Sequence, residues 1–256
     1  MNVLEKIIAS TEKRVENEKK QGLPPERSFK SKPFIFEKAL RRYDMAFICE
    51  VKRASPSKGV IADNFPFTDI ARQYVAAGAS AVSVLTEPEF FRGSNYHLSE
   101  IRKAVEIPLL RKDFIIDMFQ IEQSFRLGAD AVLLIAGILT PKKLSLFIEE
   151  ADRLGMSSLV EVHDESELRT AAAAGARVIG VNNRDLRTLE VDIKNSIRLR
   201  RLTPEGTVFV SESGIQTRED VELVRKNGVD AVLVGDVLMR SADKIAALKA
   251  LKGEKE

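Results

Sequence analysis

Cysteine occurs once in these 256 residues, at Cys49, and histidine only twice, at His97 and His163. A lone cysteine excludes an internal disulfide framework and fits a reducing compartment, so a cytoplasmic location is expected. Without a Cys–His cluster no structural zinc site is expected. An excess of one charge is missing too. The 40 basic and 38 acidic residues leave a net charge of +2, which gives neither nucleic acid nor a membrane a polyelectrolyte surface to bind. No run approaches the roughly 18 apolar residues of a membrane span. The opening stretch MNVLEKIIASTEKRVENEKK alternates charges with aliphatics and lacks an h-region, so it does not read as a secretion signal. What is present, 44% hydrophobic and 30% charged residues, is the composition of one large globular domain, an enzyme or a binding domain.

Four segments repeat one pattern: AAGASAVSVLTE (76–87), RLGADAVLLIAG (126–137), AAGARVIGVNNRD (173–185) and KNGVDAVLVGD (226–236). Their glycines, Gly78, Gly128, Gly175 and Gly228, lie 50, 47 and 53 residues apart. Each closes an amphipathic helical segment as a C′ residue does, and an aliphatic strand follows at once. Between them lie AFICEVKR (46–53), PLLRKDF (108–114), SSLVEVH (157–163) and TVFVSESG (207–214), which also read as strands. Eight apolar strands alternating with helices predict a parallel α/β sheet closed into a (β/α)8 barrel. No G-x-G-x-x-G follows the first strand, which disfavours a dinucleotide-binding sheet. The barrel is expected over 46–256. Residues 1–45 form an N-terminal helical extension, with helices near 2–20 and 34–42, that lies as a lid over one barrel end.

In this fold chemistry sits at the C-terminal ends of the strands. There the odd-numbered strands carry Glu50 and Lys52, Lys112, Glu161 and Glu212, while the sixth ends at Asn182 with Arg184 just beyond. Period-2 alternation turns all of them toward the barrel axis. One such ion pair is ordinary loop chemistry. Five ionisable residues converging from four strands are not, because stability alone favours apolar replacements. The ring therefore reads as a catalytic centre. A phosphate site reads beside it, where SESGI (211–215) and VGDVLMR (234–240) put Gly214 and Gly235 after the seventh and eighth strands. Backbone N–H groups there, that of Asp236 included, would grip the oxyanion, with Ser55 and Ser213 adding hydroxyls.

The motifs EVKRASPSKG, LTEPEFFRGS, LLRKDFIID, LVEVHDESEL, GVNNRDLRT, VSESGI and VLVGDVLMR, in this order, resemble indole-3-glycerol-phosphate synthase, a (β/α)8 enzyme of tryptophan biosynthesis. The resemblance implies a lyase that closes a ring, decarboxylates and dehydrates 1-(2-carboxyphenylamino)-1-deoxyribulose 5-phosphate, with no redox cofactor and no metal. It implies Lys112 as general acid, held by Glu50, and Glu161 as base. Lys52 would hold the carboxylate or phosphate and later protonate the departing hydroxyl. Asn182 and Glu212 would position the substrate, and Arg184 would take the carboxylate. Phe91, Phe114, Leu110, Leu133, Ile135 and Leu186 are the candidates for an apolar anthranilate pocket. The Asp236 side chain is left out of the site, His163 reads as a loop histidine, and Cys49 should face the outer helices. The chain is expected to work as a monomer or weak homodimer. A Schiff-base aldolase using Lys112 as nucleophile, or another sugar-phosphate barrel enzyme, is the competing reading.

Overall fold

A computed structural model of the chain describes residues 3–26, 32–185 and 190–254. Its strands are β1 (Ala46–Val51), β2 (Ala81–Leu85), β3 (Leu109–Lys112), β4 (Ala131–Ile135), β5 (Ser157–Val162), β6 (Val178–Asn182), β7 (Val208–Glu212) and β8 (Ala231–Val234). Each pairs in parallel with the next, and β8 returns to β1 with Ala46 opposite Ala231, which closes the predicted barrel. Helices α3 (Phe67–Ala76), α4 (Asn95–Ala104), α5 (Met118–Arg126), α6 (Pro141–Arg153), α7 (Glu165–Ala173), α8 (Lys194–Arg200) and α9 (Arg218–Lys226) connect successive strands. The short α10 (Asp236–Arg240) and α11 (Lys244–Lys252) follow β8. After β1 the chain also makes a small antiparallel hairpin, Ala54–Ser55 against Gly59–Val60.

The repeat glycines do what their spacing predicts. Gly78, Gly128, Gly175 and Gly228 all have φ between +76° and +92°, the left-handed region that a residue with Cβ enters only under strain. At the first, the Gly78 N–H reaches Val75 O (2.9 Å) and the Ala79 N–H reaches Tyr74 O (3.0 Å), a Schellman ending, and the other three close in the same way. One turn chemistry therefore launches β2, β4, β6 and β8.

Strand parity divides the core in two. Outward residues such as Cys49, Val84, Val132, Val160, Phe209 and Val232 pack beneath the helices. Inward residues, among them Ile48, Leu110, Leu133, Leu159, Val210 and Leu233, fill the barrel. Phe36 and Leu40 of α2 (Ile35–Leu40) belong to the inner cluster and are fully buried, so α2 plugs the N-terminal end of the barrel. By contrast α1 (Val3–Gln21) runs up the outside, tied by Arg14 to Asp113 (2.7 and 2.9 Å) and by Lys19 to Asp117 (2.7 Å). Its first turns bring Val3, Leu4 and Ile7 to the opposite, C-terminal mouth. The extension thus meets both ends of the barrel, whereas a lid over one end was expected.

Candidate active site

Ile48, Leu110, Leu159 and Val210 come from β1, β3, β5 and β7 and are completely buried. In a (β/α)8 barrel alternate strands supply each interior layer. Two residues further along the same four strands, the next layer of that set is Glu50, Lys112, Glu161 and Glu212. The apolar filling stops there and four ionisable groups take its place, all on inward positions fixed by the pleat.

Lys112 Nζ stands between two carboxylates, 2.9 Å from Glu161 Oε2 and 2.7 Å from Glu212 Oε2. The expected partner, Glu50, holds Lys52 instead at 2.6 Å. The two-residue spacing on β1 puts Lys52 on the same face and nearer than a cation from across the barrel. Lys52 also contacts Asp236 Oδ1 (2.9 Å), and Lys58 contacts Asp236 Oδ2 (2.5 Å). The Asp236 side chain therefore belongs to the site, contrary to its exclusion on sequence grounds: the Lys52 and Lys58 ammonium groups from the β1 loop offset its charge.

These contacts set the protonation states. Burial pushes the Lys112 ammonium down, but Glu161, Glu212 and Glu50 outweigh it and hold the group well above its ordinary range. Burial pushes Glu161 up, while Lys112, His163 and hydrogen bonds from Lys112 and Asn182 bring it down to about 2. Glu212 goes the other way, to about 7, because burial and the neighbouring Glu161 and Glu50 charges exceed the pull of Lys112. One ammonium cannot fully offset two buried carboxylates, so the second is the easier to protonate. At Asp236 burial is overcome by Lys52 and Lys58, which hold the carboxyl at about 2.

A cavity of about 500 Å³ lies over this layer. Lys52, Lys112, Glu161, Asn182, Arg184 and Glu212 line it with Glu50, as do Ser55, Ser213, Gly214, Gly235 and Asp236. Asn182 Nδ2 donates to Glu161 Oε1 (3.3 Å), and Asn182 Oδ1 accepts from the Arg184 N–H (3.0 Å). Ser55 Oγ and Glu212 Oε1 are buried without a hydrogen-bond partner among the described residues. Phe91 and Phe114, 6.0 Å apart and tilted, form an apolar wall with Leu133 and Ile135. Leu110 does not line the cavity: it lies one layer lower, packed in the barrel interior beneath Lys112. Leu186 falls outside the described residues.

Several residues at the cavity carried no functional reading in the sequence. Val3, Leu4 and Ile7 arrive from α1, and Lys58 from the β1 loop. Gly180 leaves the space that the Glu212 Oε1 atom occupies, and Gly235 leaves that of Glu50 Oε2. The signal for Gly180 was its inward parity with Asn182, on a strand where every other inward residue has a side chain. Gly180→Ala should push the Glu212 carboxylate off Lys112 and lower turnover by roughly 10- to 100-fold, the scale of a small misplacement. Thermal melting beside steady-state kinetics checks this; wild-type turnover in a folded variant contradicts it. Asn183 anchors the adjoining loop, donating to Ser211 Oγ (3.0 Å) and Ser213 O (2.9 Å).

A closed parallel barrel with its polar cavity at the C-terminal mouth defines a (β/α)8-barrel enzyme. Residues 4–251 match the family model described as indole-3-glycerol phosphate synthase. The chain is 54% identical over 257 residues to the indole-3-glycerol phosphate synthase of Ruminiclostridium cellulolyticum, covering 98% of this chain and 99% of that one. It is 51% identical over 261 residues to that of Endomicrobium trichonymphae, covering 98% and 99%. The chain belongs to the indole-3-glycerol phosphate synthase family. Among solved structures, 3-hexulose-6-phosphate synthase from Salmonella typhimurium matches with a TM-score of 0.67 at 17% identity, covering 82% of this chain and 97% of that one. That likeness is one of fold.

Proposed function

We propose that this chain converts 1-(2-carboxyphenylamino)-1-deoxyribulose 5-phosphate into indole-3-glycerol phosphate, CO2 and water, as a carbon–carbon lyase. The observation that carries the reading is the interior layer of Glu50, Lys112, Glu161 and Glu212, facing one cavity that also holds Ser213, Gly214 and Gly235.

Ring closure requires the sugar carbonyl oxygen to gain a proton as the aromatic carbon attacks. Lys112 is the general acid: buried ion pairing keeps it protonated, and it stands on the cavity floor. A proton on Glu212 would loosen the hold on Lys112 and make it a better acid. Glu161, kept ionised, is the base of the dehydration and the counter-charge for cationic intermediates. Lys52 takes the substrate carboxylate or phosphate and later protonates the departing hydroxyl. Arg184 offers a guanidinium fork to the carboxylate, while Asn182 and Glu212 position the hydroxyls and the anilino nitrogen. Phe91, Phe114, Leu133 and Ile135 flank the aromatic ring. Ser55, Ser213 and the backbone N–H groups at Gly214, Gly235 and Asp236 receive the phosphate. A Schiff-base aldolase is disfavoured because a nucleophilic lysine must lose its proton, and Lys112 is held cationic by two carboxylates.

The test is to supply the carboxyphenylamino-deoxyribulose phosphate and follow the indole product by fluorescence. Turnover is expected, with a loss of at least about 100-fold in Glu161→Gln, the scale of removing a general base. An inert wild-type protein would overturn the activity, and a fully active Glu161→Gln would overturn the role of Glu161.

A further inference from the structure

Lys112 alone does not distinguish its two carboxylates, since it approaches Glu161 and Glu212 almost equally, at 2.9 and 2.7 Å. Besides the Asn182 hydrogen bond to Glu161 and the Glu50 charge near Glu212, a third source of asymmetry lies behind Glu161. His163, in the turn after β5, places Nε2 3.6 Å from Glu161 Oε1, and that nitrogen is buried with no hydrogen-bond partner among the described residues. The other side of the ring is fixed. His163 Nδ1 lies 3.1 Å from Glu167 Oε2, and the His163 backbone N–H donates to the same oxygen at 2.8 Å. Glu167 is seated in turn: its N–H donates to the helix-capping Asp164 (2.9 Å), and its Oε1 fills the space that a side chain at position 137 would need, which Gly137 leaves open. Asn195 Nδ2 donates to His163 O (2.9 Å) and pins the turn from α8. A surface-loop histidine needs none of this bracing.

We infer that His163, braced by Glu167, is a positioning residue that keeps Glu161 the ionised member of the carboxylate pair around Lys112, so that a proton shared by the pair rests on Glu212. The inference builds on the proposed role of Glu161 as base. An imidazolium beside one carboxylate and further from the other biases where a shared proton sits. The charged groups facing the imidazole are Glu161 from β5, Glu167 and Asp164 from α7, and Glu212 across the barrel from β7. The neighbouring cavity also brings Lys194 and Arg198 from α8, and Arg184, Asp185, Glu190 and Asp192 from between β6 and α8. Carboxylates dominate at short range. Burial pushes the His163 imidazole down, but the Glu167 hydrogen bond and the Glu161, Glu167 and Glu212 charges outweigh it, so the ring stays cationic above its ordinary range.

The experiment compares wild type, His163→Gln and Glu167→Gln. Gln at 163 removes the charge; Gln at 167 leaves the imidazole without its bracing anion. Both should move the acid limb of the kcat/KM profile to higher pH by about one unit, a tenfold change in the ionisation of Glu161, and lower kcat along that limb. KM should change less. Titration of 13C-carboxyl-labelled glutamates, assigned with Glu161→Gln and Glu212→Gln, should show the shared proton moving from Glu212 toward Glu161 in His163→Gln. Wild-type pH profiles and an unmoved proton in both folded variants overturn the inference, as does a loss confined to melting temperature. If Glu161→Gln itself turns over normally, the base reading has failed. If Glu161→Gln is inactive while His163→Gln keeps the wild-type profile, only the role of His163 has failed.

Discussion

Lys112→Ala should lower turnover by about 10²- to 10⁴-fold, the contribution of a positioned general acid. The loss has two sources. The proposed proton donor to the sugar carbonyl is gone, and Glu161 and Glu212 are left facing each other in the barrel without the ammonium that bridged them. Two buried carboxylates without a cation hold a proton between them more tightly, so the pair loses part of its charge at neutral pH. Lys112→Met, of similar length and no charge, should be as inactive as the alanine variant. Single-turnover kinetics with the carboxyphenylamino-deoxyribulose phosphate separate the chemical step from binding. A variant whose chemical step stays within a few-fold of wild type would show that the acid is another group, with Lys52 the first to examine.

Asp113→Ala should destabilise the protein by about 3–5 kcal/mol, the cost of leaving a buried charge without its partner. Asp113 accepts both Arg14 nitrogens (2.7 and 2.9 Å), Arg111 Nη2 (3.0 Å), Thr86 Oγ1 (2.7 Å) and the Phe114 N–H (2.8 Å). Arg111 is fully buried beneath α5, where Gln123 Oε1 (2.7 Å) and Gln120 O (3.2 Å) also accept from it. Neutral acceptors do not replace the lost carboxylate. For a chain of this size the shift in melting temperature should be roughly 10 °C or more. The pH dependence has a defined sign. Burial pushes the Asp113 carboxyl up, but Arg111, Arg14 and the Arg14 and Thr86 hydrogen bonds bring it to about 2, from an ordinary 3.8. A lowered carboxyl stabilises fully above its unfolded value and loses that contribution as pH falls through its folded value. The gap between wild type and variant should therefore be level from neutrality to about pH 4 and close only between pH 4 and 2. An equal melting temperature at pH 7 would show that the network contributes no net stability.

Direction was legible in the sequence; height and partnership were not. Alternation at Leu110–Arg111–Lys112 and Leu159–Val160–Glu161 gave the face of each residue correctly, because the strand repeat has only two choices. The same alternation could not say that Leu110 lies below the cavity while Leu133 lines it, since that depends on how neighbouring strands are staggered. Lys112 was assigned to Glu50, yet in a closed barrel three carboxylates on alternate strands are all candidates. Only coordinates show that Lys52 takes Glu50 and leaves Glu161 and Glu212 to Lys112. An acid beside a phosphate is unfavourable on sequence grounds alone, but Lys58 offsets the Asp236 charge, and the sequence does not show that the two meet. His163 shares the parity of Glu161 but sits past the last paired residue, where periodicity carries no weight. The repeat glycines were read correctly because a left-handed helix ending is a local device, written in adjacent residues.

The N-terminal segment meets the cylinder at opposite rims, with Phe36 and Leu40 stoppering one and Val3, Leu4 and Ile7 walling the other. The lining of the cavity and the plug of the barrel thus come from different stretches of a single short appendage. Substitutions at Val3, Leu4 and Ile7 therefore alter the cavity wall without touching the Phe36 and Leu40 plug.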